Sequence, residues 1–514
     1  MTESHADTPR RFRKVLVANR GEIAVRVLRA LADERITSAV VYSDADRASL
    51  PVLLADEAYR IGPAPSSESY LRADAIVDLA VEIGADAIHP GYGFLSENAD
   101  FARLCEDRGV VFIGPPSTAI AAMGSKIEAR RLMIDAGVPV VPGGRDPLPD
   151  VDAALAFADE IGYPVMVKAS AGGGGKGMRR VETREALAQA FREARSEAGS
   201  AFGDDAIYLE KFVEEPRHIE IQMIGDTHGK VVSLGERECS LQRRNQKVVE
   251  EAPSPIVDSE MRRAMGDAAV RAAEAVGYHN AGTCEFLVDK HRNFYFLEMN
   301  TRLQVEHPVT EMVTGLDLVR AQLHVAQGGA LGPEFDEVEP RGHSIEVRLY
   351  AEDPFRGFAP SPGRIDVLRW PEGLGVRNDA GVYEGAEVPI HYDPMIAKLI
   401  TFGSDRTQAI ERMRRALVEL RVDGIATSTP LFLRILDDDD FRAGRLDIGM
   451  LERKLDSGEW LPEDDGARHD LPIVAAAIAH AVRQETVTST SQRSDGHGHR
   501  DAWRDAARRE ATGV

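Results

Sequence analysis

The sequence predicts an α/β protein of several domains, and three observations carry that prediction. Strand-like apolar runs alternate with helical periodicity through the first part of the chain. A run of glycines follows a strand near residue 172, and beyond residue 342 the pattern becomes strand-rich and closes on an amphipathic helix. At 514 residues the chain exceeds the size at which one core stops growing, so about three domains are expected.

The first element, Lys14-Val-Leu-Val-Ala-Asn19, reads as a buried strand. Gly21 follows, then a helix whose apolar face carries Ile23, Val27, Leu28 and Leu31. A second strand spans Ser38 to Ser43, with Asp44 and Asp46 where a dinucleotide-binding fold places its ribose acid. The glycine fingerprint of such a site is missing, because Glu22 to Arg26 fill the positions of the other glycines. With further strands at 87–89 and 110–114, the domain is Rossmann-like in pattern without a nicotinamide site.

Pro139-Val-Val-Pro-Gly-Gly144 and Pro147-Leu-Pro149 form a joint, after which Gly162-Tyr-Pro-Val-Met-Val-Lys168 resumes as a strand. Ala171-Gly-Gly-Gly-Gly-Lys-Gly-Met178 comes directly afterwards. Bare backbone amides of this kind can lie against phosphate oxygens and move as a lid. It is not a Walker loop, since Lys176 is followed by Gly177 and not by Ser or Thr.

Thr283-Cys-Glu285-Phe-Leu-Val-Asp289 and Phe294-Tyr-Phe-Leu-Glu298 read as a hairpin. If Asp289 faces Phe294, Glu285 stands opposite Glu298, and a divalent ion is the simplest compensation for that repulsion. Asn300 would extend the oxygen-rich edge. If the strand continued, residues 298, 300, 302, 304 and 306 would share one face, and all five are polar. Acid and amide come first, then Arg302, Gln304 and Glu306, the order of a cation site merging into an anion site. Gln242-Arg243-Arg244-Asn245-Gln246-Lys247 is locally basic and reads as a pocket for a small anion.

A boundary falls near residues 328–342, after which His343-Ser-Ile-Glu-Val-Arg-Leu-Tyr350 starts another strand-rich unit, with a helix at about 407–420. The acidic run 437–440 reads as a solvated turn. The last residues change character: an apolar helix at 471–482, a linker-like stretch at 485–500, then an amphipathic terminus with Trp503. That tail reads either as a frayed end or as a segment that docks a partner subunit through Trp503.

Composition excludes several classes. With 62 basic and 84 acidic side chains the net charge is -22, which opposes general binding to nucleic acid or anionic membrane. Cys105, Cys239 and Cys284 lie far apart, giving neither a disulfide framework nor a zinc knuckle. No stretch approaches the ~20 apolar residues of a membrane span, and the N-terminal residues lack a signal-like apolar segment. A soluble cytoplasmic protein is expected.

From about Arg13 to about Leu455 the chain resembles biotin carboxylase, within the ATP-grasp enzymes. The motifs are Ala18-Asn-Arg-Gly-Glu-Ile-Ala24, His89-Pro-Gly-Tyr-Gly-Phe-Leu-Ser-Glu97, Met123-Gly-Ser-Lys126, the glycine run, Pro216-Arg-His-Ile-Glu220, Cys239-Ser-Leu-Gln-Arg-Arg244 and Glu298-Met-Asn-Thr-Arg-Leu-Gln-Val-Glu-His307. The resemblance implies a Rossmann-like N-terminal domain (1–125), an ATP-grasp domain (126–335) with a mobile lid at about 141–213, a strand-rich α+β C-terminal domain (336–460), and the tail (461–514). It implies that Lys126 and Lys168 bind ATP phosphates, that Gly174 and Gly175 belong to the lid, and that Glu210, Lys211 and Val213 lie at the adenine. His218, Gln242 and Asn245 would lie near the nucleotide, and Glu285, Glu298 and Asn300 would hold Mg²⁺ or Mn²⁺, two ions in all. Lys247, Arg302, Gln304 and the Val305 amide would hold bicarbonate, Glu306 would be its general base, and Arg348 would stabilise the biotin enolate.

Asn245 departs from part of the family, where His occurs in this motif. The biotin-accepting lysine of the family lies in a Met-Lys-Met motif, and none of the 13 methionines here precedes Lys. The resemblance therefore implies an ATP-using subunit of an acyl-CoA or pyruvate carboxylase, a homodimer, with the biotin carboxyl carrier protein and carboxyltransferase on other chains. The alternatives are another ATP-grasp ligase, of the carbamoyl-phosphate or purine-pathway kind, and a non-catalytic ATP-binding scaffold.

Overall fold

Strands Lys14–Val17 (β1), Thr37–Ser43 (β2), Glu57–Gly62 (β3), Ala87–His89 (β4) and Val111–Phe112 (β5) pair in parallel in the order β3-β2-β1-β4-β5. The apolar run in β1 is needed because both faces of the sheet are covered. Val15 and Val17 pack with Ile23, Val27 and Leu31 of helix Gly21–Asp33, while Leu16 packs on the other side with Ile76, Val77 and Phe101. The two acids after β2 are already engaged. Asp44 pairs with Arg60, and Asp46 takes Arg20 Nε at 2.8 Å and the Tyr70 hydroxyl at 2.6 Å. This computed structural model describes residues 11–144, 147–169, 178–202 and 205–461.

A second, smaller sheet is antiparallel, with Val165–Ala169 (β6) between Met178–Val181 (β7) and Ile207–Lys211 (β8). Helices Val151–Ile161 and Arg184–Phe202 cover it, and Val165, Val167, Leu187, Phe191 and Leu209 form a core of its own. The glycine run between β6 and β7, with Gly174 and Gly175, lies outside the described residues. So do the side chain of Lys126 and the tail with Trp503.

The largest sheet has eight strands. Arg217–Gly225 (β9), Val231–Arg243 (β10), Gln246–Ala252 (β11), Asn280–Val288 (β12), Phe294–Asn300 (β13) and His343–Tyr350 (β14) run in the order β13-β12-β9-β10-β11-β14, continued by Met395–Gly403 and Val376–Ala380. All its pairings are antiparallel. Because β11 pairs with β14, backbone hydrogen bonds continue the sheet across the sequence boundary at 328–342.

Several expectations need correction. Glu285 does stand opposite Glu298, but Phe294 faces Val288 and not Asp289. A bulge that passes over Leu297 restores the register. Asp289 leaves the ladder because its carboxylate caps the turn, accepting from the amides of His291 and Asn293. The strand through 298 ends at Asn300, so period-two alternation does not carry to 302, 304 and 306. Those residues lie on a loop that feeds helix His307–Thr314, with Pro308 in its first turn. The acidic run 437–440 is solvated, with Asp437 and Asp439 exposed, but it is a junction of two helices and not a turn: Asp437 ends Thr429–Asp437, and Asp438 caps Asp439–Arg442.

Candidate active site

Cross-strand register places one row of charges over four neighbouring strands: Arg237 on β10 faces Glu220 on β9, Glu220 faces Glu285 on β12, and Glu285 faces Glu298 on β13. Three carboxylates in one row repel, and cations must lie among them. Arg237, fully buried, pairs with Glu220 and donates to Gln222 at 2.6 Å, Thr310 at 2.9 Å, Thr283 at 3.2 Å and Gln304 at 3.0 Å. Lys247 supplies the second cation. Its Nζ lies 2.5 Å from Glu220, 2.7 Å from Glu285 and 2.7 Å from Glu306. An ammonium has three protons, and each is given to a different carboxylate.

The turn that brings Lys247 there explains Asn245. Arg244 and Asn245 are the two loop residues between β10 and β11, with φ of 48° and 65°. A two-residue hairpin with both φ positive is a type I′ turn, where Asn is favoured. Gln242, opposite Lys247, donates to the Cys239 carbonyl at 2.9 Å.

Beyond Asn300 the loop folds back on the row. Gln304 Nε2 donates to Glu285 at 2.8 Å, and Arg302 donates to Asn300 Oδ1 at 2.7 Å and to Glu97 at 2.8 Å. Glu306, 2% exposed, accepts from Lys247 through Oε1 and from Arg348 Nη2 through Oε2 at 2.9 Å. Val305 is held by its carbonyl, which accepts from Lys398 at 2.7 Å. Lys398 is fully buried and also reaches Glu22 at 3.3 Å. Gly381 lies against the Gly21–Glu22 backbone, where a Cβ would come within 2.6 Å of the Glu22 amide nitrogen.

Burial raises the carboxyl of Glu306, but Lys247, Arg348 and Arg237 outweigh it and hold the group well below the usual carboxylate range. Glu285 is lowered in the same way, burial being overcome by Lys247 and His218. Burial would lower the Lys247 ammonium, yet its three carboxylates raise it well above the ordinary value. Glu250 and Glu346, opposite each other on β11 and β14, are both pushed up by burial, Glu250 to about 7. A carboxylate held as low as Glu306 is a weak proton acceptor. An arriving anion that draws Lys247 away would raise its basicity.

The donor set suits a hard divalent cation. Single ligand atoms of His218, Glu220 and Glu285 lie within 4.8 Å of one another and Glu298 is directly across from Glu285, whereas the Asn300 oxygen is taken by Arg302. His218 Nε2 stands 3.1 Å from Glu285. Lys168 and Glu210 pair with each other on the small sheet, with Arg130 3.2 Å from Glu210. Lys211 is clamped on the carbonyls of Gly162 and Tyr163 at 3.0 and 2.8 Å. Val213 follows that strand and is half-buried.

Sequence reasoning missed Glu97, Glu220, Arg237, Glu250 and Lys398. Glu97 and Glu220 ended motifs already quoted, and the lone Lys398 within apolar Met395–Gly403 was a usable signal. Arg237 and Glu250 gave none, because only strand pairing shows what they face.

Three family models match the chain in succession: "Biotin carboxylase, N-terminal domain" over residues 11–120, "Carbamoyl-phosphate synthase L chain, ATP binding domain" over 125–333, and "Biotin carboxylase C-terminal domain" over 346–453. Propionyl-CoA carboxylase alpha chain of Ruegeria pomeroyi is 49% identical over 95% of this chain and 75% of its own length. Biotin carboxylase 1 of Bacillus subtilis is 52% identical over 86% of this chain and 98% of its own. Among solved structures, the biotin carboxylase domain dimer of Hydrogenobacter thermophilus 2-oxoglutarate carboxylase, in complex with MgADP, ADP and bicarbonate, matches with TM-score 0.80 and 49% identity, covering 86% of this chain and 98% of that one. Campylobacter jejuni biotin carboxylase in a β,γ-ATP complex matches with TM-score 0.81 and 47% identity, covering 86% and 99%.

Proposed function

The chain belongs to the biotin carboxylase family, and we propose that the cluster around Lys247 performs the ATP- and bicarbonate-dependent carboxylation of biotin held on a separate carrier protein. The observation that carries this reading is the ammonium shared by Glu220, Glu285 and Glu306, with Arg348 on the far oxygen of Glu306. It is a buried anion site with a base built into it.

Bicarbonate competes with the carboxylates for Lys247 and takes Arg302, Gln304 and the Val305 amide as further partners. Glu306 then accepts its proton, and the cations stabilise the dianion that attacks the γ-phosphorus of ATP. The resulting carboxyphosphate breaks down to CO₂ and phosphate. Phosphate removes the ureido proton of biotin, and Arg348 stabilises the enolate that attacks CO₂. Glu285 and Glu298, with Asn300, would hold Mg²⁺ or Mn²⁺, which offsets charge on the ATP phosphates. Lys126 and Lys168 would reach the phosphates, Gly174 and Gly175 would close over them, and Glu210, Lys211, Val213, His218, Gln242 and Asn245 would line the nucleotide. The domain limits at 125, 335 and 460 belong to the same reading.

The carrier and a carboxyltransferase are the proposed partners, with the chain as a homodimer and the tail from 461 as a docking segment. The cytoplasm is the proposed location, which three free, buried cysteines favour; no helix among the described residues is long and apolar enough to cross a membrane. The test is ADP release with bicarbonate and biotin varied separately. Release that needs bicarbonate and rises with biotin is expected, and release indifferent to biotin would overturn the reading.

A further inference from the structure

Among the described residues Arg348 is the one arginine paired with Glu306, so what aims its guanidinium decides how the two meet. The carboxylate that does so is Glu250, fully buried on β11. Its Oε1 accepts from Arg348 Nε at 2.6 Å and lies 2.6 Å from Nη2, and Nη2 also reaches Glu306 at 2.9 Å. Register makes this diagonal: Glu250 faces Glu346, and Arg348 lies two residues further along β14, on the same face. Among the described residues Glu250 Oε2 has no hydrogen-bond partner although it is buried, so the hydrogen-bonding capacity of this side chain in use is spent on one guanidinium.

We propose that Glu250 is a positioning residue for Arg348, fixing the guanidinium so that one nitrogen serves Glu306 while the rest of the group faces the biotin ureido oxygen. This rests on the carboxylation reading above. Glu250 touches neither reacting group itself. Its loss should therefore impair the half of the reaction that uses Arg348 more than the half that uses bicarbonate and ATP.

The experiment compares two rates in the full chain: carboxylation of free biotin, and bicarbonate-dependent ADP release without biotin. Assayed at pH 8 or above, beyond the range to which burial pushes this carboxyl, Glu250→Gln keeps the size and one acceptor but removes the charge. It should lower the first rate about tenfold or more, the usual scale for losing a charge-assisted hydrogen bond, and the second by less than about threefold, with KM for MgATP unchanged. In an Arg348→Met background the same change should cost less than about twofold, since the group it positions is gone. That double variant also removes both partners of the buried pair, which spares the fold. If Glu250→Gln alone fails to fold, Glu250→Asp, which withdraws the carboxylate by one methylene, must show the same split. Equal losses in both rates, or a full loss persisting in the Arg348→Met background, would overturn the inference. A parent chain without bicarbonate-dependent ADP release would overturn the carboxylation reading, and the inference with it.

Discussion

If Glu306 is the base proposed above, replacing it by Gln should separate the binding of bicarbonate from its activation. Glu306 is one of four buried carboxylates, with Glu220, Glu250 and Glu285, packed among Arg237, Lys247 and Arg348. The amide keeps an oxygen for Lys247, at 2.7 Å in the parent, and removes one negative charge from the site that must admit an anion. At an effective dielectric of about 20, one carboxylate fewer within ~4 Å favours an anion by up to about 4 kcal/mol. KM for bicarbonate should therefore stay level or fall. Turnover should drop by a factor of about 10² to 10⁴, the range for a lost general base and about 3 to 5 kcal/mol of barrier. KM for MgATP should be unchanged. Steady-state ADP release with bicarbonate varied reads both quantities. Turnover within about threefold of the parent, or a rise in bicarbonate KM with turnover intact, would refute the assignment of the base.

Other consequences concern separate parts of the site. Glu298→Gln should raise the Mg²⁺ concentration needed for half-maximal activity by about tenfold or more while leaving bicarbonate KM unchanged, which a metal titration at fixed ATP checks. Lys398→Met frees the Val305 carbonyl and should raise bicarbonate KM about tenfold, with MgATP KM within about twofold; equal changes in both would disprove a local role. Glu251 is the pH-dependent case. Burial raises its carboxyl, but Arg406 and His343 bring it to about 2, against the ordinary 4.5. Since the folded value lies below the unfolded one, the stabilisation is complete above pH 4.5 and is lost as pH falls from there towards 2. The difference is worth about 3 kcal/mol, and Glu251→Gln should remove that segment of the stability curve measured by denaturant unfolding between pH 6 and 3.

Short motifs carried much of the site in readable form, because their chemistry lies in residue type and close spacing. Glu298, Asn300, Arg302, Gln304 and Glu306 fall within nine residues, and one local run reads as the proposed cation site followed by the proposed anion site. The hairpin opposition of Glu285 and Glu298 was also legible, since a register sum needs only two strands and a turn. Even there the stated anchor, Asp289 against Phe294, was wrong: a capped turn shortened one strand and a bulge corrected the count.

The sequence by itself determined the α/β class, the alternation of the first domain, the absence of a nicotinamide fingerprint and the family to which the motifs point. Tertiary structure alone decided which charges meet. Arg237 and Glu220, or Glu250 and Arg348, are separated by many residues and become neighbours only through antiparallel register. The convergence of Arg302, Gln304 and Glu306 likewise comes from a loop turning back over the sheet, where strand alternation no longer applies. Residue type travels with the chain, whereas burial and ion pairing depend on long-range strand pairing. The low basicity of Glu306 and the shared protons of Lys247 therefore exist only in the folded sheet.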